Sequence, residues 1–293
     1  MKNYSPKEIK NIVLVGAPGS GKTTLAEAMA FEGKVIDRRG SIENNNTLSD
    51  NTDIEHEYKR SIYSTTLFTE FMGRKLNIID CPGSDDFCGN LFSAFKVGDV
   101  GVMLINAQNG WEVGNEIQSR YASILNKPLI GVINQLDADK ANYDATLESI
   151  KADSLVKPVV VQYPVNQGAA FDSFIDVLMM KMYRFTDENG TREEYDIPES
   201  EMERAKAYNQ ELVETAAEYD DELMMLYFDK GSLTQDDIRS GLKLGVANRK
   251  VMPIFVCSGK KDIGTKRLME FIINVAPGPT KAPDFLTVEG EAL

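Results

Sequence analysis

Eight residues near the start of the chain have the types and the spacing that bind phosphate. Gly16-Ala17-Pro18-Gly19-Ser20-Gly21-Lys22-Thr23 fits the pattern G-x-x-x-x-G-K-S/T, in which a glycine-rich turn lets backbone N–H groups surround phosphate oxygens. Lys22 is placed to reach the β- and γ-phosphates, and the Thr23 hydroxyl to coordinate Mg²⁺. We therefore predict a phosphate loop made of Ala17, Pro18, Gly19, Ser20, Gly21, Lys22, Thr23 and Thr24.

Two tetrapeptides indicate which base is bound. Asp80-Cys81-Pro82-Gly83 follows an apolar stretch, so Asp80 can reach Mg²⁺ through water and the Gly83 N–H can meet a γ-phosphate. Asn134-Gln135-Leu136-Asp137 follows another, which lets Asp137 accept both N–H groups on the edge of guanine. Either is an ordinary turn sequence by itself, but their order after the phosphate loop predicts a guanine-nucleotide domain. The candidate base-side residues are Asn134, Gln135, Asp137, Ser258, Gly259 and Lys260.

The elements that must position these motifs alternate between short apolar runs and helix-like stretches, which is typical of a mostly parallel sheet covered by helices. We predict an α/β P-loop G domain at 1–154 and 251–276, a small acidic α+β insertion at 155–250, and a linker to further domains at 277–293. Strands are predicted at 11–16, 74–80, 100–107, 128–134, 159–163 and 251–256, and helices at 22–30, 85–97, 112–126, 199–228 and 266–275. Residues 62–71 are predicted to pair with 74–80 in a hairpin, Thr234 to cap another helix, and the polar segment 31–59 to be a mobile loop.

Charge is distributed unevenly along the 293 residues. The chain has 32 Lys and Arg against 45 Asp and Glu, a net charge of −13. Residues 187–240 contain 17 of the acids and 5 of the bases, so the remainder is nearly neutral. Such an acidic segment repels nucleic-acid phosphates and favours a basic protein partner.

The composition argues against a membrane-spanning protein and against a disulfide-stabilised secreted protein. The sequence has no run of about 18 apolar residues, which argues against a membrane span. Cys81, Cys88 and Cys257 have neither metal-ligand nor disulfide-framework spacing. We therefore expect a protein of the reducing cytoplasm.

Together these motifs resemble elongation factor G, a translational GTPase, through its G domain and its inserted G′ subdomain. Within the insertion, Glu194-Tyr195-Asp196-Ile197-Pro198 and the segments 211–218, 222–224 and 233–234 are similar to that family. The resemblance implies binding of GTP, GDP and Mg²⁺, and action on the ribosome as a monomer. It also implies contact of the insertion with a basic stalk protein, and rRNA contacts made mainly by downstream domains.

Three positions depart from the family pattern. The family has a catalytic histidine directly after Asp-x-Pro-Gly, where this chain has Ser84, and its single histidine is His56. The family threonine that completes Mg²⁺ coordination corresponds to Tyr63, so the expected metal residues are Thr23, Asp80 and Tyr63. The Tyr63 phenol is too large for that position without rearrangement, and Ser64 or Thr65 could substitute if the register shifts by one or two residues. Gln135 replaces the lysine of Asn-Lys-x-Asp.

The functional hypotheses follow from these departures. The catalytic positions are Lys22, Gly83 and Ser84, and a serine hydroxyl is too short and too weakly basic to orient water as a histidine does. The first hypothesis is a translocation-type factor with weakened GTP hydrolysis. The alternatives are a ribosome factor or ribosome-protection-type factor without significant turnover, and a P-loop ATPase or kinase, which Asn134 and Asp137 disfavour.

Overall fold

A computed structural model describes residues 2–187 and 190–281 of the chain. Within these residues, a main sheet of seven strands has the order β2-β3-β1-β4-β5-β11-β6. All neighbours are parallel except β2 and β3, which form an antiparallel hairpin. The strands are Ile9–Gly16 (β1), Thr65–Phe71 (β2), Arg74–Asp80 (β3), Val100–Asn106 (β4), Leu129–Asn134 (β5), Lys157–Val160 (β6) and Val251–Val256 (β11).

Helices cover this sheet. The helices of the main domain are Lys22–Glu32 (α1), Asp53–Tyr58 (α2), Cys88–Val97 (α3), Val113–Ile124 (α4), Tyr143–Asp153 (α5) and Thr265–Val275 (α9). Every residue of β4, β5 and β11 is buried, which is why these strands are continuous apolar runs with little alternation. The predicted fold class, a P-loop α/β domain with a mostly parallel sheet and an added subdomain, is confirmed.

An additional antiparallel sheet forms the inserted subdomain. Its order is β10-β9-β8-β7, and its strands are Gln162–Pro164 (β7), Ser173–Asp176 (β8), Lys181–Phe185 (β9) and Arg192–Tyr195 (β10). Three helices follow: Glu199–Ala217 (α6), Asp221–Lys230 (α7) and Gln235–Ala247 (α8). The range predicted for the insertion, 155–250, includes β6, which pairs with β11 in the main sheet.

Several predicted elements have different bounds in the structure. The helix predicted at 199–228 is two helices, because the Asp220 side chain accepts hydrogen bonds from the N–H groups of Glu222 and Leu223 and starts α7 anew. The strand predicted at 159–163 is divided between β6 and β7. The cap predicted at Thr234 is confirmed: its side chain accepts from the Asp237 N–H. The linker predicted at 277–293 lies partly outside the described residues.

A buried ion pair joins the inserted sheet to the main domain. Arg267 of α9 donates from Nε and Nη2 to Asp176 Oδ2 of β8, at 3.0 and 2.9 Å. Gln162 of β7 donates to the same carboxylate oxygen at 3.1 Å. The Asp176 side chain is fully buried, so its charge depends on these partners. The inserted sheet is therefore tied to α9, the helix that follows the predicted base-contacting loop 258–260.

Candidate functional site

The phosphate loop connects the end of β1 to the start of α1. Gly16 has φ of 141°, and a Cβ added there would lie 2.4 Å from the Leu104 carbonyl oxygen, so no side chain fits at the first position of the motif. Lys22 is buried and donates from Nζ to the carbonyl oxygens of Gly16 (2.9 Å) and Ala17 (3.1 Å). Burial lowers the pKa of Lys22. The loop thus directs a buried cation at the turn that the motif assigns to phosphate.

Oxygen groups suited to a hard divalent cation meet beside this loop. The Thr23 hydroxyl donates to Asp80 Oδ2 at 2.7 Å. Asp80 is buried, burial raises its pKa to about 6, and its Oδ1 atom accepts no hydrogen bond from the described residues. A buried carboxylate oxygen left without a donor is costly, and a cation relieves that cost. The predicted pair Thr23 and Asp80 therefore lies together and fits Mg²⁺.

Asp50 is a further acid at this place that the motifs did not reveal. It is buried, neither carboxylate oxygen has a hydrogen-bond partner of ordinary geometry among the described residues, and burial raises its pKa against the opposing effect of the nearby Ser61 hydroxyl. It lies near enough to Lys22 and Asp80 to influence the pKa of each. The loop 31–59 contains many acids, and no local pattern distinguishes Asp50 from the others.

The hydroxyl that lies next to Thr23 from the segment between α2 and β2 is that of Ser61. Its Oγ lies 3.3 Å from Thr23 Oγ1. Tyr63, the position expected to complete the metal site, is 54% exposed. The possible substitutes make other contacts: Ser64 Oγ donates to Cys81 Sγ at 3.6 Å, and Thr65 Oγ1 donates to the Ser49 carbonyl at 3.0 Å.

Gly83 lies directly against the phosphate loop. A Cβ added to Gly83 would be 2.4 Å from Lys22 Nζ and 2.9 Å from the Pro18 nitrogen, so this backbone approaches the loop as closely as glycine allows. The next residue, Ser84, donates from Oγ to Asp86 Oδ2 at 3.2 Å. The three predicted catalytic positions are thus neighbours, with the Ser84 hydroxyl engaged by its own loop.

The base-side motifs meet at the other end of the site. Asn134 Nδ2 donates to the Ser20 carbonyl at 2.8 Å, and Asn134 Oδ1 accepts the Gly259 N–H at 3.1 Å. Gln135 Nε2 donates to the Gly19 carbonyl at 2.8 Å. One buried asparagine therefore links the phosphate loop to the loop 258–260. The Ser258 side chain lies under that loop, where its Oγ accepts the Lys261 N–H at 3.1 Å.

A cavity of about 770 Å³ opens between these motifs and the long loop. Asp137, Lys260, Thr24 and Gly21 line it on one side, and residues 37–43 line it on the other. A nucleotide-sized ligand fits such a volume. Asp137, the residue predicted to read guanine, faces the cavity as required.

The segment predicted as a mobile loop is anchored at this cavity. Glu27 of α1 is buried, and its carboxylate accepts the N–H groups of Gly40 (2.7 Å) and Leu48 (2.5 Å). Arg39 donates from Nη1 to the carbonyls of Gly259 and Lys260, each at 3.0 Å. Contacts with residues distant in the sequence therefore hold residues 37–48 in place as one wall of the site.

Comparison with known proteins also indicates a GTP-binding domain. Residues 7–278 match the model of the elongation factor Tu GTP binding domain. A crystal structure of a protein from Thermus thermophilus superposes with a TM-score of 0.88 at 29% sequence identity. The match covers 94% of this chain and 41% of the Thermus chain, so this chain spans about two fifths of that protein's length.

No helix among residues 2–187 and 190–281 combines the length and apolarity needed to span a bilayer. The phosphate loop, the two tetrapeptides and the family match agree on one ligand class, and they leave the ATPase or kinase hypothesis without support. The chain belongs to the family of elongation factor Tu GTP-binding domains, which bind guanine nucleotides.

Proposed function

We propose that this chain is the G domain of an elongation-factor-G-like translational GTPase that acts on the ribosome in the cytoplasm, and that its GTP hydrolysis is weakened. The position of Ser84 carries the proposal. It directly follows a Gly83 that packs on Lys22, where this family places the histidine that orients the attacking water. The Ser84 hydroxyl instead donates to Asp86.

Magnesium is part of this proposal. Thr23 and Asp80 would hold the ion, and Asp50 adds a second buried carboxylate beside them. A bound Mg²⁺ supplies charge neutralisation for the transferred phosphate. The chain's own contribution is positioning, because Lys22 and the backbone of the phosphate loop fix where the phosphates lie.

His56 does not take the place of the missing histidine in the structure. Its Nε2 lies 2.9 Å from the Asp50 carbonyl, within the long loop. A residue that orients water contributes roughly 10² to 10⁴ in rate, which is the scale of the loss that Ser84 implies. The factor would then work mainly as a nucleotide-dependent binder, which is also the basis of the alternative, a ribosome-protection-type factor without significant turnover.

The test is single-turnover GTP hydrolysis by the full-length factor with ribosomes. We expect slow hydrolysis by the parent and by Ser84→Ala, which removes the hydroxyl without adding a base. Ser84→His should raise the rate by roughly tenfold or more. A parent rate equal to that of an ordinary elongation factor G, or a Ser84→His variant no faster than Ser84→Ala, would overturn the proposal.

The acidic insertion supports a second part of the proposal, contact with a basic stalk protein. Glu214, Glu218, Asp221 and Glu222 are exposed, and Glu211 is partly exposed, around the junction of α6 and α7. Complementary charge mainly accelerates encounter. Reversing Glu211, Glu214 and Glu222 should lower the rate of ribosome association at low salt and have less effect at high salt. An unchanged association rate would contradict the proposed contact with a basic stalk protein.

A further inference from the structure

Gln118 of α4 connects two loops of the nucleotide site from behind. Its side chain is 3% exposed and has three hydrogen-bond partners. Its Oε1 accepts the Gly16 N–H at 2.5 Å, and its Nε2 donates to the carbonyls of Gly16 at 3.1 Å and of Gly83 at 3.4 Å. The amide therefore satisfies both backbone groups of the first phosphate-loop residue and also reaches the Asp-x-Pro-Gly loop.

The two loops joined by Gln118 are assigned to different phosphates of the nucleotide. Gly16 opens the phosphate loop, which serves GDP and GTP alike. Gly83 is the residue whose N–H is assigned to the γ-phosphate, a group that GDP lacks. The carbonyl held by Gln118 belongs to the peptide between Gly83 and Ser84, so this hydrogen bond orients the peptide that joins Gly83 to the catalytic position.

We propose that Gln118 is a positioning residue that couples the phosphate loop to Gly83 and thereby sets the preference of the site for GTP over GDP. The inference rests on the proposed γ-phosphate role of Gly83 and is independent of how fast GTP is hydrolysed. A contact to Gly16 contributes to the binding of either nucleotide. A contact to Gly83 contributes when a γ-phosphate is present, because binding differences arise from groups that one ligand has and the other lacks.

Because the Gly83 contact is long and deeply buried, we expect a moderate effect. A buried neutral hydrogen bond corresponds to about a threefold to tenfold change in an equilibrium constant. Gln118→Met keeps the length of the side chain and removes all three contacts. It should weaken GDP binding, and it should weaken binding of a non-hydrolysable GTP analogue by a further factor of about three to ten.

Gln118→Glu keeps the acceptor facing the Gly16 N–H and, when ionised, loses both donor contacts. It should also lower the preference for the analogue, and it supplies the measurement if Gln118→Met does not fold. The matched control is Ser119→Ala in the same helix. Ser119 is also buried, and its hydroxyl donates to the Glu116 carbonyl within α4; this variant should leave the ratio unchanged.

Affinities of GDP and the analogue for each purified protein decide the matter. A destabilised fold weakens both ligands by one factor, so equal losses in the Gln118 variants would overturn the coupling. A ratio that falls in Ser119→Ala as far as in Gln118→Met would do the same. Fast hydrolysis by the parent would sink the weakened-GTPase proposal and leave this one standing, because the analogue is not hydrolysed.

Discussion

Removing the Arg39 side chain should speed the release of nucleotide. Arg39 connects the wall formed by residues 37–48 to the loop 258–260 through two hydrogen bonds of 3.0 Å to the carbonyls of Gly259 and Lys260. A hydrogen bond to a charged group contributes about 1.5–3 kcal/mol when buried. Arg39 is partly exposed, and the two bonds share one donor nitrogen, so we expect about 1–2 kcal/mol for the pair.

This loss corresponds to a roughly fivefold to thirtyfold change in the population of the anchored wall. We expect the dissociation rate of a fluorescent GDP, chased with excess unlabelled GDP in a stopped-flow instrument, to rise by a similar factor in Arg39→Ala. Arg38→Ala is the matched control, because Arg38 lines the same cavity, carries the same charge and is exposed. Arg39→Lys should fall between the parent and Arg39→Ala, since an ammonium lacks the planar fork of a guanidinium. An unchanged rate in Arg39→Ala, or an equal rise in Arg38→Ala, would refute the anchoring role.

Two predictions concern stability and use urea unfolding. Burial raises the pKa of Asp262 to about 6, above the ordinary 3.8. The folded chain therefore binds this proton more tightly than the unfolded chain does. The free energy of unfolding consequently falls as the pH rises from the ordinary pKa through the raised one. Asp262→Asn should therefore add on the order of 1–3 kcal/mol at pH 7.5 and little at pH 4, and an equal effect at both values would contradict the argument. Arg267→Met leaves the buried Asp176 carboxylate without its cation and should cost about 3–5 kcal/mol. Adding Asp176→Asn should recover part of that loss, and no recovery would show that the ion pair is not its cause.

The sequence predicted which motif side chains meet at the site because each motif is contiguous. A strand that ends in Asp80 or Asn134 delivers that side chain to the edge of a parallel sheet, whatever the details of packing. The hairpin was predictable for the same reason: Met72 and Gly73 both have positive φ, which the tight connection between β2 and β3 requires. Local chemistry determines these features.

Helix boundaries in the insertion were harder to predict. The helical spacing of apolar residues in 199–228 is not interrupted at Tyr219 and Asp220, so periodicity alone predicts a single helix. The Asp220 side chain competes for the N–H groups that start α7, and this capping preference outweighs continued periodicity. Helix α5 was missed although Asn142 caps it through the Ala145 N–H, because its apolar face is short.

The anchors of the site could not be predicted, because their partners lie far away in the chain. Gln118 is 102 residues from Gly16, and Arg39 is 220 residues from Gly259. A glutamine in an amphipathic helix and an arginine in a polar loop match solvent-exposed positions, and no single-sequence pattern reports what they meet after folding. Burial gives such groups their importance, since a buried polar group must find a partner.

Anchors of this kind affect the site differently from the motifs they hold. Asp137 and Lys22 are assigned to the nucleotide itself, so their loss removes binding energy directly. Arg39 acts at the base end, which GDP and GTP share, and its removal should change the residence of both nucleotides by one factor. Gln118 acts at the phosphate end, where the two nucleotides differ, and its removal should change their ratio. The retention time of a nucleotide and the selectivity of the site can therefore be altered separately, because Arg39 contacts the loop 258–260, Gln118 contacts Gly16 and Gly83, and the two side chains share no partner.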